Sequence, residues 1–163
     1  MNRVFLLLGS NLGNPSENLS RSISLLNQKT GSVISCSSIY KTAPWGFEHE
    51  KFFLNQVVEI DTPHNPTKLL ENILSIELEM GRKRSGIGYE GRIIDIDILF
   101  FNDDCYDLKD LTIPHPLLHK RRFTLCPLAE LTPFKIHPVF KKNISQLLIE
   151  CEDYCAVEKL NMK

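Results

Sequence analysis

The chain has 163 residues, enough for one domain with its own core, and its 42% hydrophobic and 24% charged content is that of an ordinary soluble globular protein. A formal net charge of −1 argues against nucleic acid or a membrane surface as partner. The apolar run Val4-Phe5-Leu6-Leu7-Leu8 is far short of a membrane span and meets Gly9-Ser10-Asn11 without a signal-peptide cleavage pattern. The five cysteines are odd in number and lack Cys-x-x-Cys spacing, the usage expected of reduced thiols in the cytoplasm.

Residues 3–8 are β-prone and almost continuously apolar, as in a central strand, and Gly9 to Gly13 breaks the run. Asn14-Pro15-Ser16-Glu17 reads as a helix start, with Asn as cap and Pro in the first turn. Leu19, Ile23 and Leu26 carry that helix to about Lys29, and Gly31 ends it. Residues 32–40 and 52–60 are predicted as the second and third strands. The loop between them, 41–51, is long for a hairpin and contains Thr42-Ala43-Pro44-Trp45-Gly46, which favours a functional role. Asn65-Pro66 opens a second helix, whose apolar face is Leu69, Ile73, Ile76 and Met80 and whose stop is Gly81. A fourth strand is predicted over 93–101, with short helices around 123–131 and 145–149. The order β-α-β-β-α-β predicts an α+β, ferredoxin-like core: an antiparallel sheet with two helices on one face, plus a C-terminal extension. Residues 1–163 are expected to form a single domain.

In Arg92-Ile93-Ile94-Asp95-Ile96-Asp97-Ile98 the isoleucines share one face of the strand and Asp95 and Asp97 the other. Their Cα atoms should lie about 6.5 Å apart. Two carboxylates that close repel each other and are costly to desolvate, so a cation should sit between them. Paired hard oxygen ligands, without His or Cys nearby in sequence, suit Mg²⁺. The alternative is a structural network in which each Asp pairs with an Arg. Just upstream, residues 82–92 hold four basic residues and three glycines: Arg82, Lys83, Arg84 and Arg92, with Gly86, Gly88 and Gly91. Arginine forks for phosphate beside carboxylates for metal are the parts of a phosphoryl-transfer site. No P-loop motif is present.

His115 and His119 have metal-pair spacing, but Pro114 and Pro116 oppose a helix through His115, so His115 and Arg121 fit better as donors to a nucleotide phosphate. Surface or loop positions are expected for His49, His64 and His137. Trp45 and Tyr89 fall in the long loops, where a flat heterocycle could stack, whereas Phe53 and Phe123 could equally be core. Asn55, on the same strand face as Phe53, could read a base-like edge.

Together these segments resemble the 6-hydroxymethyl-7,8-dihydropterin pyrophosphokinase family. The resemblance runs from Gly9-Ser10-Asn11-Leu12-Gly13 to Phe123-x-x-x-Pro127-Leu128. Its most specific pieces are Arg92-x-x-Asp95-Ile96-Asp97-Ile98, Pro114-His115 and Arg121-x-Phe123. It implies that ATP, as co-substrate, donates its β,γ-pyrophosphate to the pterin hydroxymethyl group and leaves as AMP, in folate biosynthesis. It also implies that Asp95 and Asp97 hold two Mg²⁺ ions and that Arg82 and Arg92 assist the transfer. Glu77, Arg84, Ile98, Thr112, His115 and Arg121 would contact ATP. Thr42, Ala43, Trp45, Phe53, Asn55, Tyr89 and Phe123 would form the pterin pocket. The expected partners are these two small molecules, with neither nucleic acid nor membrane, and the expected state is a cytoplasmic monomer. The chain departs from the family pattern at Gly88, at Glu90-Gly91 and at Asp110, positions that bear on the contacts of the 82–92 loop with ATP.

Two other classes compete. A metal-dependent phosphodiesterase would need further ligands, and no His-Asp cluster supplies them. An RNA-binding ferredoxin-like module would need aromatics and basic groups on its sheet face, where the fourth strand carries aspartates instead.

Overall fold

The computed structural model describes residues 1–45, 51–83 and 91–161. The first apolar run forms β1 (Asn2–Ser10), which pairs antiparallel with β4 (Phe53–Thr62) on one side and β5 (Asp95–Phe101) on the other. Burial of Val4 through Ser10 on both faces matches the unbroken apolar pattern of a central strand. The helices form where their caps indicate. Asn14 accepts a hydrogen bond from the Glu17 N–H at the start of α1 (Pro15–Lys29), and Asn65 does the same for Lys68 at α2 (Pro66–Glu79).

The segment predicted as one strand over 32–40 is two, β2 (Ser32–Cys36) and β3 (Tyr40–Thr42), both paired to β4. The break falls at Ser37, whose hydroxyl accepts from the Val57 N–H at 3.0 Å and so takes over one ladder position. Gln56 donates to the Ser37 carbonyl at 2.7 Å, which holds the kink. After β5 come a small hairpin, β6 (Tyr106–Leu108) and β7 (Leu111–Ile113), then α3 (Arg122–Leu131), α4 (Ile144–Glu150) and β8 (Val157–Lys159). The main sheet runs β5-β1-β4-β3-β8, with β2 also on β4.

The sheet is covered on both faces. α1 and α2 pack on the face carrying Val4, Leu6, Leu8, Val58, Ile60, Ile94, Ile96 and Ile98. The C-terminal extension packs on the other, where Leu125, Leu128, Ile144 and Leu147 meet Phe5, Leu7, Val57, Leu99 and Phe100. Each such buried aliphatic or aromatic side chain contributes roughly 1.5–3 kcal/mol. Among the described residues no helix is long and apolar enough to cross a membrane.

His137, expected at a surface or loop position, lies in a loop, but its side chain is buried. Its ring lies 5.7 Å from that of Phe100 and 4.5 Å from that of Phe140, and Nδ1 accepts from the Val139 and Phe140 N–H groups at 3.2 Å each. The turn after Pro138 folds back over the imidazole, so a polar side chain in a loop becomes the cap of that loop's own backbone. His64 also lies in a loop, and His49 is outside the described residues.

Candidate active site

The face of the sheet under α3 and α4 is covered only in part. In register across it lie Asp95, Gly9 and Asn55 in one row, and Asp97, Leu7 and Val57 in the next. The period of two that sends Ile96 and Ile98 into the core places both carboxylates on this other face, beside a glycine. Gly9 keeps the floor low: a Cβ there would lie 3.3 Å from Asn55 Oδ1.

The two aspartates have different surroundings. Asp95 Oδ1 receives Arg82 at 2.7 Å and Oδ2 receives Arg92 at 2.9 Å, and Arg82 also pairs with the buried Glu77. For Asp95, therefore, the structural ion network is present. Asp97 differs: its Oδ2 lies 3.9 Å from His115 Nε2. Desolvation and the adjacent Asp95 charge push the Asp97 carboxyl up to about 7, against the opposing fields of Arg121, Arg92 and Arg82. Burial, reinforced by the charge of Arg121, holds the His115 imidazole down to about 4. Its Nδ1 accepts from the Leu117 N–H at 3.1 Å, which leaves Nε2 as the protonated, donating nitrogen of a neutral ring. The His115 N–H donates to the Leu99 carbonyl at 3.1 Å, which ties His115 to β5 rather than to a helix.

A half-buried carboxylate whose charge is opposed by its neighbour fits a cation. Among the described residues no group of three or more His, Cys, Asp or Glu forms a metal cage. Two carboxylates that leave the remaining positions to water and phosphate oxygens are the donor set Mg²⁺ usually takes.

Two clefts meet at this pair. One, about 510 Å³ and open at its mouth, is lined by Thr42, Ala43, Trp45, Phe53, Asn55 and Phe123, together with Leu7, Gly9, Arg92 and Arg121. Asn55 donates to Thr42 Oγ1 at 2.8 Å, and the Arg121 guanidinium lies 4.7 Å from the centre of the Trp45 ring and 5.6 Å from that of Phe123. The other is a broad groove between α2 and the β6–β7 hairpin, lined by Glu77, Ile98, Thr112 and His115 among others. Asp95 and Asp97 line both.

All the described residues expected around the pterin thus come together in one cavity. Those expected around ATP come together in the groove, with one exception: Arg121 lines the aromatic cavity. Arg84 and Tyr89 lie outside the described residues. Asp110, one of the departures from the family pattern, lines the groove. The sheet face an RNA-binding module would expose carries the aspartates and is partly covered by α3 and α4.

Sequence reasoning treated Gly9 to Gly13 as a strand breaker and missed Asn11. This buried side chain accepts from the Arg92 N–H at 2.8 Å and donates to the Lys51 carbonyl at 3.3 Å. An Asn inside a Gly-Ser-Asn-Leu-Gly turn directly after a central strand was the available signal.

The model of the 7,8-dihydro-6-hydroxymethylpterin-pyrophosphokinase (HPPK) family matches residues 5–133. The chain is 42% identical over 131 residues to the 2-amino-4-hydroxy-6-hydroxymethyldihydropteridine pyrophosphokinase of Bacillus subtilis (strain 168), covering 80% of this chain and 78% of that protein. It is 36% identical over 162 residues to the protein of the same name from Aquifex aeolicus (strain VF5), covering 98% of this chain and 100% of that one. The fold is similar, with a TM-score of 0.76, to a solved structure of Plasmodium falciparum HPPK-DHPS wild type with pteroate. There the identity is 20%, and the match covers 91% of this chain but 42% of the solved one. With the match spanning most of the sequence and the whole arrangement around Asp95 and Asp97, this chain belongs to the 7,8-dihydro-6-hydroxymethylpterin-pyrophosphokinase family.

Proposed function

We propose that the groove takes ATP, the aromatic cavity takes 6-hydroxymethyl-7,8-dihydropterin, and Asp95 and Asp97 mark the point where the two substrates react. The family's reaction, in folate biosynthesis, transfers pyrophosphate from ATP to the pterin hydroxymethyl group. The hydroxymethyl oxygen attacks the β-phosphorus and loses its proton, the bond from that phosphorus to the α,β-bridging oxygen breaks, and AMP leaves. The observation that carries the reading is that the two clefts share the two aspartates.

Asp95 and Asp97 would hold two Mg²⁺ ions, which when bound supply charge neutralisation on the transferred group. Arg82 and Arg92, now on Asp95, are placed to turn their guanidinium groups to phosphate oxygens once a cation takes over that carboxylate. His115 would donate from Nε2 to the nucleotide as a neutral hydrogen-bond donor. Glu77, Ile98 and Thr112 would contact ATP in the groove. Thr42 holds Asn55 so that the Asn55 amide can read the polar edge of the pterin, while Trp45, Phe53 and Phe123 would stack or wall its ring and Ala43 complete the wall. Arg121 is supported as a bridge between the pterin and the phosphates by its position in the aromatic cavity. Arg84 and Tyr89 keep the roles their motif implies, contact with ATP and with the pterin. The unit is proposed to work as a single domain and a monomer in the cytoplasm.

Incubation with ATP, Mg²⁺ and 6-hydroxymethyl-7,8-dihydropterin, with separation of the nucleotides, tests the reaction. AMP formed in step with a diphosphorylated pterin is the expected result. ADP as the nucleotide product, or turnover indifferent to the pterin, would overturn it.

A further inference from the structure

The cavity proposed for the pterin has two walls from different layers. One is Phe123, in the first turn of α3. The other is formed by Thr42 at the end of β3 with Ala43 and Trp45 beyond it, and Thr42 accepts from Asn55. β3 is three residues long and is flanked on its outer side by β8, also three residues. So short a strand is held weakly by its ladder alone.

Glu130, in the last turn of α3, supplies what the ladder lacks. Its Oε1 accepts from both the N–H and the hydroxyl of Ser38, at 2.9 Å each, and its Oε2 accepts from the Tyr40 hydroxyl at 2.6 Å. Lys159 of β8 approaches the same carboxylate at 3.8 Å. Tyr40 pairs in register with Asn55, so the residue Glu130 grips is the cross-strand neighbour of the residue that reads the pterin. Partial burial works to raise the Glu130 carboxyl, but hydrogen bonds from Tyr40 and Ser38 outweigh it and hold the group below the usual carboxylate range. Glu130 lines neither cleft.

We infer that Glu130 is a positioning residue for the pterin: from the far end of α3 it fixes β3, and with it the Thr42–Asn55 wall, at a set distance from Phe123. The inference rests on the assignment of the aromatic cavity to the pterin. Its effect is confined to one substrate, because the ATP groove lies at the opposite edge of the sheet, beyond β5.

Steady-state kinetics and equilibrium binding of each substrate, on folded protein, test it. Glu130→Ala should raise the pterin KM and Kd about tenfold, the scale of one hydrogen bond to a charged group, while Mg-ATP affinity and kcat at saturating pterin stay within about twofold. Glu130→Gln keeps an oxygen for Ser38 and an amide that can donate to Tyr40, so it should restore most of the pterin affinity. Tyr40→Phe, which preserves the ring's packing, should reproduce part of the loss, and its effect should not add to that of Glu130→Ala.

Unchanged pterin affinity in Glu130→Ala, or equal weakening of both substrates in step with a fall in Tm, would overturn the positioning role. Should Glu130→Ala fail to fold, unchanged pterin affinity in Tyr40→Phe overturns it in the same way. Wild-type protein that makes no AMP from ATP and pterin would instead overturn the cavity assignment, which separates the two failures.

Discussion

Asn11 holds Arg92 by its main chain: the Asn11 side-chain oxygen accepts from the Arg92 N–H at 2.8 Å, and the Asn11 N–H donates to the Arg92 carbonyl at 3.1 Å. The Arg92 side chain is thereby left for Asp95, three residues on. Asn11 is in turn fixed by its own turn, where Asn18 donates to Ser10 Oγ and to the Leu12 carbonyl. Removing the Asn11 amide should let the Arg92 backbone drift, and a drift of about 1 Å costs up to about a hundredfold in a positioned reaction. Asn11→Ala is expected to lower kcat by about ten- to a hundredfold with little change in either substrate's Kd. Arg92→Ala should cost at least as much, and the double variant no more than Arg92→Ala alone. A full additive loss in the double variant would show that Asn11 does not act through Arg92.

The second prediction concerns Asp97, whose charge is opposed by desolvation and by Asp95. Asp97→Asn removes that conflict at nearly constant volume. Without metal, the variant should be as stable as the wild type or more so. Turnover should fall by at least about a hundredfold, the scale of losing one preorganised electrostatic group, and Mg-ATP should bind more weakly. Thermal melts in EDTA and initial rates with Mg²⁺ check the two halves. A variant that is both less stable and fully active would contradict the assignment of Asp97 as a strained metal ligand.

Much of this site was legible because its signals are local. The Ile-Asp alternation over 94–98 has only one geometric reading in a strand, and the Asn-Pro pairs at 14–15 and 65–66 mark helix starts by capping chemistry. What was hidden depends on partners distant in sequence. The break at Ser37 follows from its hydroxyl, in place of a backbone carbonyl, accepting from the N–H of Val57, twenty residues away. Three-residue strands such as β6, β7 and β8 have too few residues for a period to show. Burial of His137 required Phe100 and Phe140 to close around it, and Glu130 lies on a helix whose pattern says nothing about Ser38 and Tyr40. The ion pairs on Asp95 are those of the competing reading, a structural network of aspartate with arginine, and they are present; the metal reading of Asp95 and Asp97 stands as the proposal above.

Gly9 gives a third prediction, about pocket depth. A Cβ at this position would meet Asn55 Oδ1 at 3.3 Å and Phe53 Cδ1 at 3.9 Å, close enough to displace the amide but not the backbone. Gly9→Ala should fold normally and weaken the pterin several-fold, with Mg-ATP binding unchanged. The amide it pushes is the proposed reader of the pterin edge, and poorly aimed hydrogen bonds lose strength steeply. Titration of each substrate against the variant decides the matter. Equal pterin affinity in variant and wild type would mean that Asn55 is not held against Gly9 for recognition.

The last prediction is a pH dependence of stability centred on His137, away from the active site. Burial, and to a lesser degree the neighbouring His119, depress the His137 imidazole from its ordinary 6.5 to about 4. Its Nδ1 is engaged as an acceptor by two backbone N–H groups, a role that protonation abolishes. The folded-state value lies below the unfolded one, so the unfolded chain binds the extra proton first as pH falls. The stability His137 contributes is therefore fully present above about pH 6.5 and is lost as pH drops through about 4, with a span of about 3 kcal/mol. His137→Asn offers an oxygen near the Nδ1 position but does not titrate. It should be somewhat less stable than wild type at pH 7.5, because the smaller side chain leaves space beside Phe100 and Phe140. Between pH 6.5 and 4 its urea midpoint should fall less steeply than that of the wild type, so the two curves converge in acid. Parallel curves across that window would mean that His137 does not supply the proton linkage.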